Sequence, residues 1–160
     1  SGYDGLVTDR PGLLLGVTAA DCAAVLLADP EAGVVGACHS GWRGTVARIT
    51  EKTVAQMAAL GADPVRLRAY VGPCISADNF EVGPEVAAQF DPAFVRRLPG
   101  REKPHVDLKA VLLSQLRAAG VPEPAVEVSP HCTFGRTDLF FSYRAENGET
   151  GRMMGFISLV

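Results

Sequence analysis

The sequence lacks long apolar runs, basic clusters and paired cysteine motifs. No apolar stretch approaches the ~20 residues needed to span a bilayer, and no signal peptide is legible. The net charge is −3 and no basic tract occurs, so the electrostatic footprint of a nucleic-acid binder is missing. Heptads, internal repeats and low-complexity segments are missing too. The four cysteines, Cys22, Cys38, Cys74 and Cys132, show no CxxC spacing, which argues against a zinc ribbon or a redox dithiol. Thiols scattered in this way, with no export signal, fit a reduced and cytoplasmic protein. Each reads first as a small buried apolar group. The first residue is Ser1 rather than Met, and the opening residues read as an internal stretch, so a longer parent chain is expected.

What is present suits one packed domain. The chain has 160 residues with 48% hydrophobic and 21% charged content, enough for one core. Leu13 to Thr18 reads as a strand after Pro11-Gly12. Ala23 to Ala28 and Val34 to His39 read as two strands around the turn residues Asp29 to Gly33. Thr45 to Leu60 has helical spacing through Val46, Ile49, Thr53, Val54 and Met57, with Gly61 as cap. Leu67 to Val71 reads as a strand, Pro84 to Phe90 as a short helix, and Val106 to Ala119 as an amphipathic helix ended by Gly120. Phe140 to Tyr143 and Met153 to Leu159 are expected to pair around Glu146-Asn147-Gly148. Strands and helices mix without βαβ alternation, so the expected class is α+β with a mixed or antiparallel sheet in a single domain.

The segment from residue 22 to 39 has a testable register. A two-residue loop pairs positions summing to 61 and sets Cys22 opposite His39. A four-residue loop pairs positions summing to 63, with Cys22 opposite Gly41 and diagonal to His39. In both, the thiol and the imidazole share a face, ~5 to ~8 Å apart at Cβ. A three-residue loop would separate them. Alternation sends Cys38 to the other face, so it reads as core. A thiol beside an imidazole suits a metal pair, a nucleophile with its base, or plain packing. Asp21 adds a carboxylate that could orient a ring or take a proton. Arg43 lies between a strand end and the expected helix start, where free N–H groups and a guanidinium fork favour an anion; the alternative is an Arg lying along Trp42.

Taken together, "TAADCAAVLL", "CHSGWRGT", "GPCI", "NFEVG", "VDL", "CTF" and "FFSYR…TGRM" resemble the YfiH family, whose members have been labelled laccase-domain proteins, polyphenol oxidases, peptidoglycan editing factors and purine nucleoside phosphorylases. The resemblance runs from about Asp4 to the C-terminus. It departs at Ala19, where Thr is common, and at Ser40, where Ala is usual. It implies a four-layer α/β/β/α fold and one zinc ion held by a Cys and two His. The Cys corresponds to Cys22 and one His to His39. The other His belongs to an upstream segment that these 160 residues do not contain, so an upstream N-terminal piece, an incomplete site, or a substitute in His105 or His131 is implied. The expected domain is residues 1–160, a single YfiH-like unit lacking that upstream segment.

The resemblance further implies phosphorolysis of adenosine, inosine and S-methyl-5′-thioadenosine, with adenosine deamination beside it. The substrates would be a purine nucleoside and phosphate, with no nucleic-acid or membrane partner, in a monomer or homodimer. Zinc with an open position supplies the activated water that deamination needs. Arg43 is the candidate phosphate anchor and Asp21 a candidate for proton transfer. Phe141, Tyr143 and Arg144 are candidates for walling the purine or binding phosphate. Glu81 reads as structural, and His131 beside Cys132 has no assigned role. A blue copper centre with a trinuclear cluster would need about ten histidines against the three present, so four-copper chemistry is not expected, while one copper at the zinc site remains compatible. Two other readings compete: a Cys22–His39 amidohydrolase editing peptidoglycan precursors, and a non-catalytic binding module.

Overall fold

The computed structural model describes residues 3–160. Its strands are β1 (Gly5–Thr8), β2 (Leu15–Ala19), β3 (Ala23–Asp29), β4 (Val34–Ser40), β5 (Arg68–Val71), β6 (Val95–Arg96), β7 (His105–Val106), β8 (Val126–Val128) and β9 (Met153–Ile157). Its helices are α1 (Trp42–Val46), α2 (Ile49–Ala59), α3 (Pro84–Ala87) and α4 (Leu108–Ala118). A five-stranded sheet runs in the order β1-β4-β3-β5-β8, and two-stranded ladders join β2 to β9 and β6 to β7. All pairs are antiparallel except β5 with β8. The chain is thus a small α+β domain with mixed sheets.

The β3–β4 hairpin adopts the four-residue register. Asp29 pairs with Val34 and Ala24 with His39, positions that sum to 63. The Asp29 carboxylate closes the turn by accepting the amides of Glu31 and Ala32 at 3.0 and 3.1 Å, and it also accepts the Asp63 amide and the Arg66 guanidinium. Along β3 the side chains alternate between two cores, as the period of two demands. Ala23, Val25 and Leu27 face α2 and α4 and meet Val54, Met57, Leu112 and Leu116. Ala24, Leu26 and Ala28 face Leu15 and Val17 of β2 and Ile157 of β9. A Cβ added at Gly155 would lie 2.8 Å from the Cβ of Ala24, so β9 can lie this close to β3 only without a side chain there.

The expected helix from Thr45 to Leu60 is two helices. α1 starts earlier, at Trp42, and the chain breaks at Arg48, which is left-handed at φ 59. The reason is that the two helices serve different cores. Trp42 and Val46 pack on a cluster with Phe80, Val106 and Leu108, whereas Val54 and Met57 pack on the central sheet. The break lets α1 and α2 point in different directions, each toward its own cluster. Gly61 and Gly120 end α2 and α4 in left-handed conformations, with the Ala62 and Val121 amides reaching back to Met57 and Leu116, the paired bonds of a Schellman cap.

Three further expectations are corrected. Val106 belongs to β7, not to α4, because Asp107 caps the helix by accepting the Ala110 amide. The helix at Pro84 ends at Ala87 rather than reaching Phe90. Phe140 to Tyr143 does not form a strand, and β9 pairs with β2 instead. The backbone after Phe140 is committed elsewhere: the Glu146 amide bonds Ser142 and the Gly148 amide bonds Tyr143, while Asn147 and Gly148 take left-handed turn positions.

Candidate metal and substrate site

The turn between β2 and β3 and the end of β4 meet at one cavity of about 670 Å³. Cys22 precedes β3 by one residue and shares a face with Ala24, which pairs with His39. Thiol and imidazole therefore stand side by side, and both line the cavity. Gly41 lies between them. A Cβ built there would come within 2.8 Å of Cys22 Sγ and 3.5 Å of His39 Cε1, so the missing side chain is what leaves the pair a shared opening. Cys38, one position from His39, is fully buried on the opposite face against Thr50.

Each member of the pair is held from behind. His39 Nδ1 lies 3.4 Å from Asp4 Oδ1, and the His39 amide donates to the Asp4 carbonyl at 2.7 Å. A carboxylate at Nδ1 leaves Nε2 as the free ring nitrogen, the arrangement typical behind metal-bound histidines. Burial pushes the Cys22 thiol up, the Asp21 and Asp4 charges add to that, and Arg152 opposes it. A neutral thiol is a weak nucleophile until a base or a metal takes its proton.

Asp21 acts as a hub. It is buried and left-handed at φ 77. Its Oδ1 accepts the hydroxyls of Thr133 and Ser142 at 2.6 and 2.7 Å, and its Oδ2 accepts the Arg144 amide at 2.7 Å. With both oxygens occupied, this carboxylate fastens the turn carrying Cys22 to the segment carrying Tyr143 and Arg144. Those two residues line the cavity, together with Trp42, Phe80, Arg152 and the β2 stretch from Gly16 to Ala20.

The other candidates lie elsewhere. The Arg43 guanidinium stacks 4.4 Å from the Trp42 ring centroid and is absent from the cavity lining, so it reaches the site only through Trp42. Phe141 packs against Gly151 outside the cavity. His105 is buried in the β6–β7 ladder opposite Arg96, and the His131 ring packs 5.6 Å from Phe140; neither joins Cys22 and His39. Cys74 is fully buried, which pushes its thiol up to about 12. For Cys132 the effect of burial is outweighed by hydrogen bonds from Ser76, Gly135 and Asn79, and its thiol is lowered. Sequence reasoning missed Asp4, Gly41 and Arg152. Arg152 was visible within "TGRM", but nothing in that motif says which wall it joins.

Residues 1–160 match the sequence model of a family described as multi-copper polyphenol oxidoreductase laccase. The fold is shared with the crystal structure of Bacillus licheniformis hypothetical protein YfiH, at TM-score 0.88 and 37% identity over 98% of this chain and 61% of that one. The chain belongs to the YfiH family. Within it, a purine nucleoside phosphorylase of Deinococcus radiodurans is 48% identical over 98% of this chain and 61% of its own length. Adenosine deaminase RL5, from an unknown prokaryotic organism, is 42% identical over 94% and 60%. The chain therefore spans about three fifths of the relatives it matches.

The YfiH family's description implies metal binding. Cys22 and His39 suit part of such a site, since thiolate and imidazole are ligands that zinc and copper both accept and Gly41 leaves room between them. Among the described residues no group of three or more His, Cys, Asp or Glu side chains is placed to hold an ion. No helix in the structure is long and apolar enough to cross a membrane.

Proposed function

We propose that this chain carries two of the three metal ligands and most of the substrate pocket of a zinc-dependent enzyme that cleaves purine nucleosides with phosphate and also deaminates adenosine. The observation that carries this reading is the Cys22–His39 pair facing one cavity across the space left by Gly41. The names of the family relatives, purine nucleoside phosphorylase and adenosine deaminase, supply the reaction class. In this reading the third ligand comes from outside these 160 residues.

When bound, the metal supplies Lewis acidity and a water of lowered pKa. The chain's own residues do the rest. Asp4 fixes the ring of His39, and Asp21 fixes the turn of Cys22. Trp42, Phe80 and Tyr143 offer flat apolar surface to a purine, while Arg144 faces the same space. With both its oxygens occupied, Asp21 serves as a positioning residue in this reading. The Cys22–His39 geometry alone also suits a thiol amidohydrolase acting on a cell-wall precursor, and the same donors accept a single copper. Metal dependence separates these readings.

The test uses the full natural chain, zinc-loaded, with adenosine in the presence and absence of phosphate, and products separated by chromatography. Adenine appearing only with phosphate, and inosine appearing without it, is the expected result. Chelation, Cys22→Ala and His39→Ala should each remove both products. Turnover that survives chelation would sink the metal mechanism in favour of the free thiol. Absence of both products would remove the nucleoside reading.

A further inference from the structure

The cations of this molecule fall into two groups. Arg48, Arg66, Arg96, Arg117, Arg136 and Lys103 pair with carboxylates. The remaining lysines and arginines, among the described residues, have no carboxylate within ion-pair distance, and of these Arg144 and Arg152 are the two that line the cavity of Cys22 and His39. Both are anchored by neutral groups. Arg144 Nη1 donates to the Glu81 carbonyl at 2.9 Å. Arg152 Nη1 donates to the carbonyls of Thr150 and Gly151 at 3.0 and 2.8 Å. Each guanidinium also lies near an aromatic ring, Arg144 at 5.7 Å from Phe80 and Arg152 at 5.9 Å from Tyr143. Carbonyls and ring faces orient a guanidinium without cancelling its charge.

The acids that share the wall are already engaged. Asp4 faces His39, and Asp21 has both oxygens occupied. Backbone ties hold the two arginines to the same place. The Arg144 amide is bonded to Asp21, and Arg152 directly precedes Met153, which pairs with Ala19 three residues before Cys22. Two fixed, uncompensated forks with donors to spare match an anion with several acceptor oxygens.

We propose that Arg144 and Arg152 together form the anion subsite of this cavity and that inorganic phosphate is the anion it takes. The assignment of phosphate rests on the nucleoside phosphorylase reading, and it replaces Arg43 as the phosphate anchor. In that reaction a phosphate oxygen bonds to C1′ of the ribose as the glycosidic C1′–N bond breaks. The bonding pair leaves on the purine, and the proton that hydrogen phosphate carried ends on the purine nitrogen. The subsite's task is to hold phosphate beside C1′ and balance its charge.

The experiment takes the full chain, zinc-loaded, as wild type, Arg144→Ala, Arg152→Ala, the double variant, Arg152→Lys, and Arg117→Ala as a distant control. Inorganic phosphate is titrated calorimetrically, and the KM values of phosphate and nucleoside are measured separately. Each alanine variant should raise the phosphate KM by roughly tenfold, the loss of one charge-assisted contact, and move the nucleoside KM by less than about threefold. The lysine variant should recover part of the loss, and the double variant should show no binding heat. Equal rises in both KM values, or phosphate binding that persists in the double variant, would overturn the subsite. If wild type cleaves no nucleoside, the titration still decides: phosphate bound by wild type and lost in the double variant supports the subsite while the phosphorylase reading fails. Failure of wild type to bind phosphate overturns it. Circular dichroism of each variant separates loss of binding from loss of fold.

Discussion

The two faces of the central sheet are built to different ends. On the helical face, Ala23, Val25 and Leu27 are wholly buried beneath α2 and α4. On the other face the β2–β9 ladder covers Ala24, Leu26 and Ala28, but its own outer side leaves Met154 and Phe156 about 60% exposed, and at its end the cover gives way to the cavity. Two thiols mark the contrast. Cys38 points into the packed face, among the apolar core and against Thr50, whereas Cys22 points to the open face beside an imidazole. A single sheet thus separates stability from chemistry by the alternation of its side chains.

The strongest way to break this division is from the packed side. Leu112→Ala should cost about 2–5 kcal/mol, the range for emptying a buried aliphatic site, while Met154→Ala on the outer face should cost well under ~1 kcal/mol. Urea unfolding of the two variants checks it; equal losses would erase the distinction between the faces.

The hairpin turn gives a smaller, pH-dependent effect. Burial raises the Asp29 carboxyl, but the Arg66 guanidinium and the amides of Asp63, Ala32 and Glu31 more than reverse this and hold it well below its usual range. A carboxyl depressed in the folded state contributes stability that is fully present above its unfolded pKa of about 4 and is lost as pH falls through the folded value. Asp29→Asn should therefore cost about 2 kcal/mol at neutral pH, less than the 3–5 kcal/mol of a fully buried pair, because Arg66 is 34% exposed. Its stability should also fall less steeply than wild type below about pH 5. Unfolding midpoints measured from pH 7 down to about pH 3 test both points.

The open face is sharpened by Gly41→Ala. Gly41 sits at φ −79 and ψ 178, which alanine adopts without strain. The new methyl meets Cys22 Sγ and His39 rather than the backbone. Metal affinity should drop about 10- to 100-fold, the range for disturbing groups behind metal ligands, with stability within ~1–3 kcal/mol of wild type. Competition with a chromophoric chelator reads the first and thermal unfolding the second. Unchanged metal affinity would show that the pair does not act as ligands.

The β3–β4 hairpin was legible because its strands are apolar, its turn carries Asp, Pro and Gly, and alternation leaves few registers. The same pattern placed Cys22 beside His39 and Cys38 in the core. Other features were not legible for physical reasons. The break at Arg48 follows from two cores competing for one helical segment, and no local propensity records that competition. β1, β6, β7 and β8 are two to four residues long, too short to show a period. Local pattern pairs β9 with Phe140 to Tyr143, but that segment is held instead by Asp21, which accepts from Ser142 and Arg144 across more than 120 residues, a claim no local propensity records. Arg152 lines the cavity because β9 pairs with β2, setting Met153 opposite Ala19.

The hydrogen bond from Ser142 to Asp21 links residues 121 positions apart, which gives the protein's synthesis a fixed order of events. A ribosome adding about 5–20 residues per second delivers Ser142 roughly 6–24 s after Asp21. The thiol and imidazole can meet early, since their hairpin is local and such turns close in microseconds. The wall with the two arginines arrives only near the end. For those seconds the nascent chain carries Cys22 and His39 side by side without the wall that later encloses them.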